Sequence, residues 1–422
     1  MAITGGSRAP LRAALAAALV WGCAAPSVPG GPAPPGPVAG EPTVQVGLVI
    51  GGSSVTLGGE GPLRLEQADG SPVLEIPRGE TWTAAAVPGG IGLTSASGAN
   101  AGLVDRVRVE PADSSDPVRV NGRAYRGALF LFRDRTGLTL VNQLALEAYL
   151  RGVLSLEMGR RDAVEREALR AQAVVSRTYA LRNLGRWRVQ GFDLYATVAD
   201  QVYGGVAGET PEAREAVAST RGQILTYGGE PIDAFFFSTC GGRTAEGTEV
   251  FRGADRPYLR SVPDVSPDGV VYCGISPRFR WREEWSAEGL RSVLRRWLPA
   301  VLGVAPGRIQ EVRDVRIERL TPSGRVGRIR LVLGERDAVD LDGPLIRQVL
   351  RNGAGDILRS TAFTLQVTRN GGRLERLVIE GSGNGHGVGF CQWGAVGRAR
   401  AGQDYRQILQ AYYPGTEVTA LY

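Results

Sequence analysis

The sequence predicts a mixed α/β (α+β), strand-rich fold with a small N-terminal β domain. Residues 43–145 alternate apolar and polar side chains between turns, which is typical of half-buried strands. Residues 309–380 are again mostly strand-like, whereas residues 163–184 repeat apolar side chains at helical spacing. Because 422 residues exceed the usual size of a single core, we expect two domains or one elaborated domain.

Residues 1–25 predict an export signal. Arg8 and Arg12 precede the apolar run AALAAALVW, and a small residue precedes Cys23. Such a run is typical of a signal peptide and too short to span a bilayer. VWGC resembles the lipobox of bacterial lipoproteins, whose cysteine becomes the lipidated N-terminus, although Trp21 stands where a small residue is usual. The alternative is an ordinary signal peptide cut a few residues later; both forms leave the cytosol.

Residues 26–42 are rich in proline and glycine and predict a linker that buries no core. Residues 43–120 then predict the small β domain, with Asp-Gly and Asn-Gly pairs as hairpin signals. Its sequence contains no acid–base or metal-binding cluster. We therefore expect this domain to bind or position something rather than to catalyse.

The larger domain, residues 121–422, predicts three helices. Residues 163–184 present a face of small side chains, so another element must pack closely against it. Residues 286–302 form a second helix with Ser286 as its N-cap. The segment RQILQAYY predicts a short closing helix, stopped by a Pro-Gly pair.

The net charge is +6, and every basic residue is arginine. The absence of lysine excludes Schiff-base and P-loop lysine chemistry. The basic residues are spread along the chain without a nucleic-acid motif, so we expect no nucleic-acid partner. The excess charge fits either a mild attraction to anionic envelope polymers or no partner at all.

Three long segments follow one another in the larger domain. They are LEAYLRGVLSLEMGRRDAVEREALRAQAVVSRTYAL (146–181), AFFFSTCGGRTAEGTEVF (234–251) and GNGHGVGFCQWGAVGRARAGQDYRQILQAYYPGTEV (383–418). In this order they resemble the SpoIID/LytB family, which is named for stage II sporulation protein D and the amidase enhancer. The resemblance frames roughly residues 120–422 and covers the N-terminal β region only weakly.

This resemblance implies a lytic transglycosylase that cleaves peptidoglycan glycan strands, with the long helix lining a glycan cleft. It also leaves open a non-catalytic glycan-binding module that recruits or enhances a cell-wall amidase. Together with the export signal, it implies a lipoprotein of the cell envelope, in the periplasm or on the outer cell surface. The family name is linked to sporulation, but the exported lipoprotein form gives no reason to assume that link here.

The resemblance carries the family's catalytic glutamate onto Glu157. Its apolar neighbours Leu156 and Met158 are expected to disfavour the carboxylate and raise its pKa, as a general acid requires. One carboxyl group is enough in a lytic transglycosylase, because the substrate's own N-acetyl or 6-hydroxyl group supplies the nucleophile. The alternative is that Glu157 caps a helix or forms an ion pair.

Other polar side chains of these segments are candidates for binding sugar hydroxyls and acetamides. They are Gln172, Arg177, Tyr179, Tyr203, Ser238, Thr239, Thr244 and Gln392. Each is equally explained by a structural hydrogen bond. Arg177 has a further alternative: an ion pair with Glu157 that would lower its pKa and argue against the acid role.

Besides Cys23, the chain has three cysteines and a single histidine, Cys240, Cys273, Cys391 and His386. These four residues match the ligand set of a closed, structural Cys₃His zinc site. Because export favours disulfides, a Cys240–Cys273 bridge is the alternative, with Cys391 left over and His386 as a strut or substrate contact.

Overall fold

The computed structural model describes residues 40–422. The predicted signal, the lipidation site Cys23 and residues 26–39 of the predicted linker lie outside the described residues. Within residues 40–422, no helix is long and apolar enough to cross a membrane. Lipid anchoring therefore stays a prediction from the sequence.

Residues 43–145 form strands throughout, as the alternation of apolar and polar side chains predicts. The strands are β1 (Thr43–Gly52), β2 (Ser54–Gly59), β3 (Leu63–Gln67), β4 (Pro72–Ile76), β5 (Thr81–Val87), β6 (Gly90–Ser95), β7 (Asn100–Val104), β8 (Arg106–Pro111), β9 (Val118–Val120), β10 (Arg123–Tyr125), β11 (Ala128–Asp134) and β12 (Gly137–Ala145).

The remaining described residues alternate helices with shorter strands. The helices are α1 (Leu146–Met158), α2 (Arg166–Arg182), α3 (Pro211–Ser219), α4 (Gly247–Val250), α5 (Ala287–Leu302), α6 (Pro344–Val349), α7 (Gln392–Arg400) and α8 (Tyr405–Tyr412). The strands are β13 (Leu194–Tyr195), β14 (Gln223–Tyr227), β15 (Glu230–Pro231), β16 (Phe236–Phe237), β17 (Arg280–Ser286), β18 (Asp314–Leu320), β19 (Val326–Val332), β20 (Ala338–Asp342), β21 (Phe363–Asn370), β22 (Arg373–Ser382), β23 (Phe390–Cys391) and β24 (Glu417–Ala420).

The N-terminal strands build two sheets, one in the order β13-β1-β12-β11-β8-β3-β4 and one in the order β10-β9-β2-β5-β6-β7. Strand β1 pairs antiparallel with β12, with Thr43 opposite Ala145. The strand that opens the predicted small domain is therefore hydrogen-bonded to one that follows the predicted boundary at residue 120. Sheet and core are continuous across that boundary.

Helix α2 lies at the centre of the helical layer. It packs against α1, α3, α7, α8 and β14. Thirteen of its residues, from Ala168 to Leu181, are buried. Being enclosed on several sides explains the small side chains of the predicted face, because they let neighbouring backbones approach closely. The prediction of a helix over 163–184 is confirmed, with a 3₁₀ turn at 163–165.

A second hydrophobic core lies between the second and third resembling segments. It includes Trp281, Leu294, Ile329 and Leu377 and is built from β17–β22, α5 and α6. Its predicted helix begins after Ser286, whose hydroxyl accepts a hydrogen bond from Gly289 N at 3.1 Å. The sequence did not predict this separate core, because its strands read as a continuation of the larger domain.

Candidate active site and cysteine cluster

The three resembling segments meet in space. Strand β16 pairs in parallel with β23, which joins the second segment to the third. Trp393 N donates to Ser238 O at 3.0 Å beside this pair. Gln392, the first residue of α7, reaches Glu157 in the last turn of α1. The three segments therefore converge, and the first and third meet at Glu157.

Both carboxylate oxygens of Glu157 accept hydrogen bonds. Oε1 accepts from Val202 N at 2.8 Å, and Oε2 accepts from Gln392 Nε2 at 3.4 Å. Gln392 Nε2 also lies 3.5 Å from Gln172 Oε1, and Gln172 is fully buried. Of the eight predicted substrate contacts, Gln392 therefore touches the carboxyl group directly and Gln172 backs it. These contacts hold the carboxyl group in one orientation.

Burial raises the pKa of Glu157, and the hydrogen bonds from Val202 and Gln392 offset only part of this effect. No ion pair between Glu157 and an arginine is present among the described residues. The carboxyl group also stands at the C-terminal end of α1, where the helix dipole disfavours negative charge. These features favour a carboxyl group that holds its proton at a higher pH than an ordinary glutamate.

The raised pKa agrees with the sequence-based expectation, and burial is its main cause as expected, but only one of the two apolar neighbours is itself buried. Leu156 is 44% exposed and Met158 is buried, so the two neighbours point in different directions and do not enclose the carboxyl group together. Consecutive helical residues are separated by about 100° around the axis. The cover over Glu157 comes instead from the segment around Val202 and from the start of α7.

Glycine at position 152 of α1 allows the covering segment to come close. Gly204 N donates to Gly152 O at 3.2 Å. A Cβ at position 152 would lie 2.6 Å from Tyr203 Cε2 and 2.9 Å from Gly205 O, closer than van der Waals contact permits. The absence of a side chain therefore brings residues 202–205 against the helix and presents the Val202 N–H to Glu157.

Arg177 does not lie in the site. Its guanidinium is fully buried and binds both carboxylate oxygens of Glu147, each at 2.8 Å. It is available neither to substrate nor to Glu157, so both predictions for Arg177 are wrong. Arg177 pairs instead with Glu147, which lies ten residues before Glu157 on α1.

Four more predicted substrate contacts are used inside the protein. The pairs are Tyr179 Oη to Asp200 Oδ1 at 3.0 Å, Tyr203 Oη to Asn142 Oδ1 at 2.8 Å, Thr239 Oγ1 with Ser276 Oγ at 2.9 Å, and Val262 N to Thr244 Oγ1 at 2.8 Å. All four side chains are buried, so the structural alternative describes them. Ser238 is half-buried, 3.2 Å from Thr239 Oγ1.

The three cysteines also converge, but His386 is not with them. The fourth member of the group is Asp264, and the ligand atoms of all four residues lie within 4.8 Å of one another. Cys240 Sγ and Cys273 Sγ are 3.4 Å apart as free thiols.

His386 uses both ring nitrogens elsewhere. Nε2 lies 2.8 Å from Phe236 O, and Nδ1 accepts from Val388 N at 3.1 Å. Burial lowers the pKa of His386 to about 3, so the ring is neutral. The prediction of His386 as a metal ligand is therefore wrong, whereas the alternative of a structural strut describes it.

The sequence did not predict two contributors: Asp264 in the cysteine cluster and the Val202 N–H at Glu157. The reasons differ. Asp264 lies in a loop, at no fixed spacing from the cysteines, so only the folded chain reveals it. Val202 contributes a backbone N–H, which every residue except proline possesses. The one signal for it in the sequence was its position next to Tyr203, a predicted substrate contact.

Two family models match separate regions of this chain. A family described as "Stage II sporulation protein" matches residues 134–227, which include Glu157. An uncharacterized protein of Brachyspira hyodysenteriae is 32% identical over 307 residues, covering 72% of this chain and 75% of that protein. Stage II sporulation protein D of Bacillus subtilis is 30% identical over 306 residues, covering 68% and 77%. The chain belongs to the stage II sporulation protein D family.

Family membership confirms the resemblance read from the three segments. The amidase enhancer of Bacillus subtilis is also similar, at 27% identity over 342 residues, covering 75% of this chain but 47% of the enhancer. A domain of unknown function, DUF8618, matches residues 274–389. That range contains the second hydrophobic core, whereas the core residues of 134–227 belong to the first core.

Proposed function

We propose that this protein acts at the bacterial cell wall and cleaves peptidoglycan glycan strands, with Glu157 as the only acid and base. One observation carries the proposal. Glu157 is half-buried with a raised pKa, has no arginine partner among the described residues, and is oriented through both oxygens. A carboxyl group in these surroundings is suited to protonating a leaving oxygen near neutral pH.

The proposed reaction needs no second carboxylate. Glu157 donates its proton to the glycosidic oxygen as the bond from that oxygen to the anomeric carbon breaks. The 6-hydroxyl oxygen of the same sugar then bonds to the anomeric carbon, and its proton returns to the Glu157 carboxylate. The product is a 1,6-anhydro sugar end. Hydrogen bonds from Val202 and Gln392 stabilise the carboxylate between the two steps.

A second candidate function follows from the similarity to the amidase enhancer. In that case the chain binds glycan strands and increases the activity of a cell-wall amidase without making a product itself. Membrane anchoring through Cys23 is compatible with both functions. Membrane fractionation of cells producing the Cys23→Ser variant tests it, because loss of the lipid should release the protein.

The deciding experiment incubates the purified protein with glycan strands stripped of stem peptides and analyses the products by mass spectrometry. Cleavage predicts 1,6-anhydro ends from the wild type and none from Glu157→Gln. Asp162→Asn is the matched control, since this exposed carboxylate lies close in sequence and outside the site. Strand binding and stimulation of an added amidase, without product from the protein alone, would support the second function instead.

A further inference from the structure

A buried group of three thiols and one carboxylate lies beside the site, and the proposed reaction does not use it. We propose that Cys240, Cys273, Cys391 and Asp264 bind one thiophilic divalent cation, of the zinc type, as a closed structural site. The inference does not depend on the proposed function, because metal content can be measured without any turnover.

Geometry is the first argument. A tetrahedral zinc ion with bonds of about 2.3 Å to sulfur places its sulfur atoms roughly 3.8 Å apart. The Sγ atoms of Cys240 and Cys273 are 3.4 Å apart, and Cys240 Sγ is 3.2 Å from Asp264 Oδ2. With all four ligand atoms within 4.8 Å of one another, small side-chain adjustments suffice to surround one ion.

Surrounding hydrogen bonds are the second argument. Cys391 Sγ accepts from Cys240 N at 3.1 Å and from Gly394 N at 3.3 Å. Backbone donors directed at sulfur stabilise thiolates, which are the form that binds metal.

Outer contacts on the carboxylate give a third argument. Asp264 Oδ1 accepts from Tyr412 Oη at 2.7 Å and from Arg398 Nε at 3.3 Å, which leaves Oδ2 facing Cys240. Ligating carboxylates typically have such partners on the oxygen that faces away from the metal.

Charge supplies the fourth argument. Three thiolates, a carboxylate and a divalent ion sum to two negative charges. Two buried guanidinium groups adjoin them: Arg398 on Asp264 and Arg325, whose Nη2 donates to Cys240 O at 2.8 Å. Arg325 is 3% exposed, and its guanidinium donates to the carbonyl oxygens of Cys240 and Arg243. An anionic metal–thiolate centre explains why such a cation is buried here.

The ion would join the loop after β16, the 3₁₀ turn at 272–275 and the N-terminus of α7. Cys391 is the N-cap of α7 and immediately precedes Gln392, the residue that contacts Glu157. A closed four-ligand site leaves no position for a water nucleophile, so its role is to hold these elements together.

The test uses the full chain carrying Cys23→Ser, purified without chelator, with metal measured by mass spectrometry and thiols counted after denaturation with chelator. We expect one zinc per chain, three thiols and a melting temperature that falls on chelation. Cobalt substitution should give the visible spectrum of a tetrahedral thiolate site. No bound metal, or a Cys240–Cys273 disulfide with one remaining thiol, overturns the proposal.

Two variants identify the fourth ligand. Asp264→Asn should weaken zinc binding by more than the roughly 10- to 100-fold that loss of an outer contact costs. His386→Gln, the matched control, should keep one zinc per chain. Zinc retained by Asp264→Asn but lost from His386→Gln would contradict the assignment. If either variant fails to fold, the zinc content and cobalt spectrum of the wild-type chain still test whether the three cysteines bind the metal.

Discussion

Helix α1 carries a glutamate at each end, Glu147 and Glu157, and their pKa values are shifted in opposite directions. Burial alone would raise the pKa of Glu147, but hydrogen bonds and charge from Arg177 outweigh it, so the pKa is lowered. Burial likewise raises the pKa of Glu157, and there the weaker contacts from Val202 and Gln392 leave it raised. A buried glutamate therefore has a structural role when a cation lies beside it, and it is suited to act as an acid when no cation does.

Helix polarity acts in the same direction at both ends. Glu147 lies in the first turn of α1, where the helix dipole favours a negative charge, and Glu157 lies in the last turn, where it disfavours one. The N-terminal glutamate also accepts from Tyr422 Oη and Gly222 N. Hydrogen bonds to Glu147 thus link α1 to α2 and to the chain's C-terminal residue. Glu157 has no ion pair among the described residues, which favours its protonated form.

The largest expected effect is on catalysis at the Glu157 end. Glu157→Gln should lower the rate of glycan cleavage by about 10²- to 10⁴-fold, the usual contribution of a general acid–base group. Its melting temperature should stay close to that of the wild type, because no ion pair is lost. Mass spectrometry of the released products measures the cleavage rate, and thermal unfolding measures the melting temperature. An unfolded variant would contradict the view that Glu157 has no structural role.

The next effect is on stability at the Glu147 end. Glu147→Gln leaves the fully buried Arg177 without its carboxylate, which should cost about 3–5 kcal/mol of unfolding free energy. Denaturant titration measures the loss. The double variant Glu147→Gln/Arg177→Met should recover part of it, since no charge is then left unpaired. A single variant as stable as the wild type would mean that the ion pair stabilises nothing.

A smaller effect is expected where the covering segment meets α1. Gly152→Ala places a methyl group within 2.9 Å of Gly205 O, which should cost about 1–3 kcal/mol through overpacking. It should also move the Val202 N–H away from Glu157 and reduce activity. Gly307→Ala, at a glycine with open space around it and no positive φ, controls for the replacement of glycine by alanine itself.

The smallest effects are the pH dependences of stability, which have opposite signs at the two ends. The folded-state pKa of Glu157 is raised, so its contribution to stability decreases as pH rises above the ordinary glutamate value of about 4.3. The folded-state pKa of Glu147 is lowered, so its contribution is present above that value and is lost as pH falls below it.

Thermal melts from pH 3 to 7, roughly the range in which glutamates titrate, check these signs. Glu157→Gln should remove the decrease toward neutral pH, and Glu147→Gln should remove the decrease toward acid. In activity measurements, the rate should decline as pH rises through the raised pKa of Glu157, because the acid must be protonated. An activity profile that keeps rising with pH would contradict the acid role.

Local patterns determined the elements of this protein. Alternating side chains gave the strands of residues 43–145, small side chains at helical spacing gave α2, and Ser286 marked the start of α5. These signals succeed because they depend on residues a few positions apart. The three resembling segments likewise pointed to Glu157 and its family.

Only the tertiary structure decided which partner each polar side chain has. It placed Arg177 on Glu147 rather than Glu157, and it put Asp264 with the cysteines in place of His386. It also separated a second core that the strand pattern alone could not divide from the first. The physical reason is that pKa, ion pairing and metal geometry depend on atoms within a few ångströms, which the chain brings together from positions tens to hundreds of residues apart.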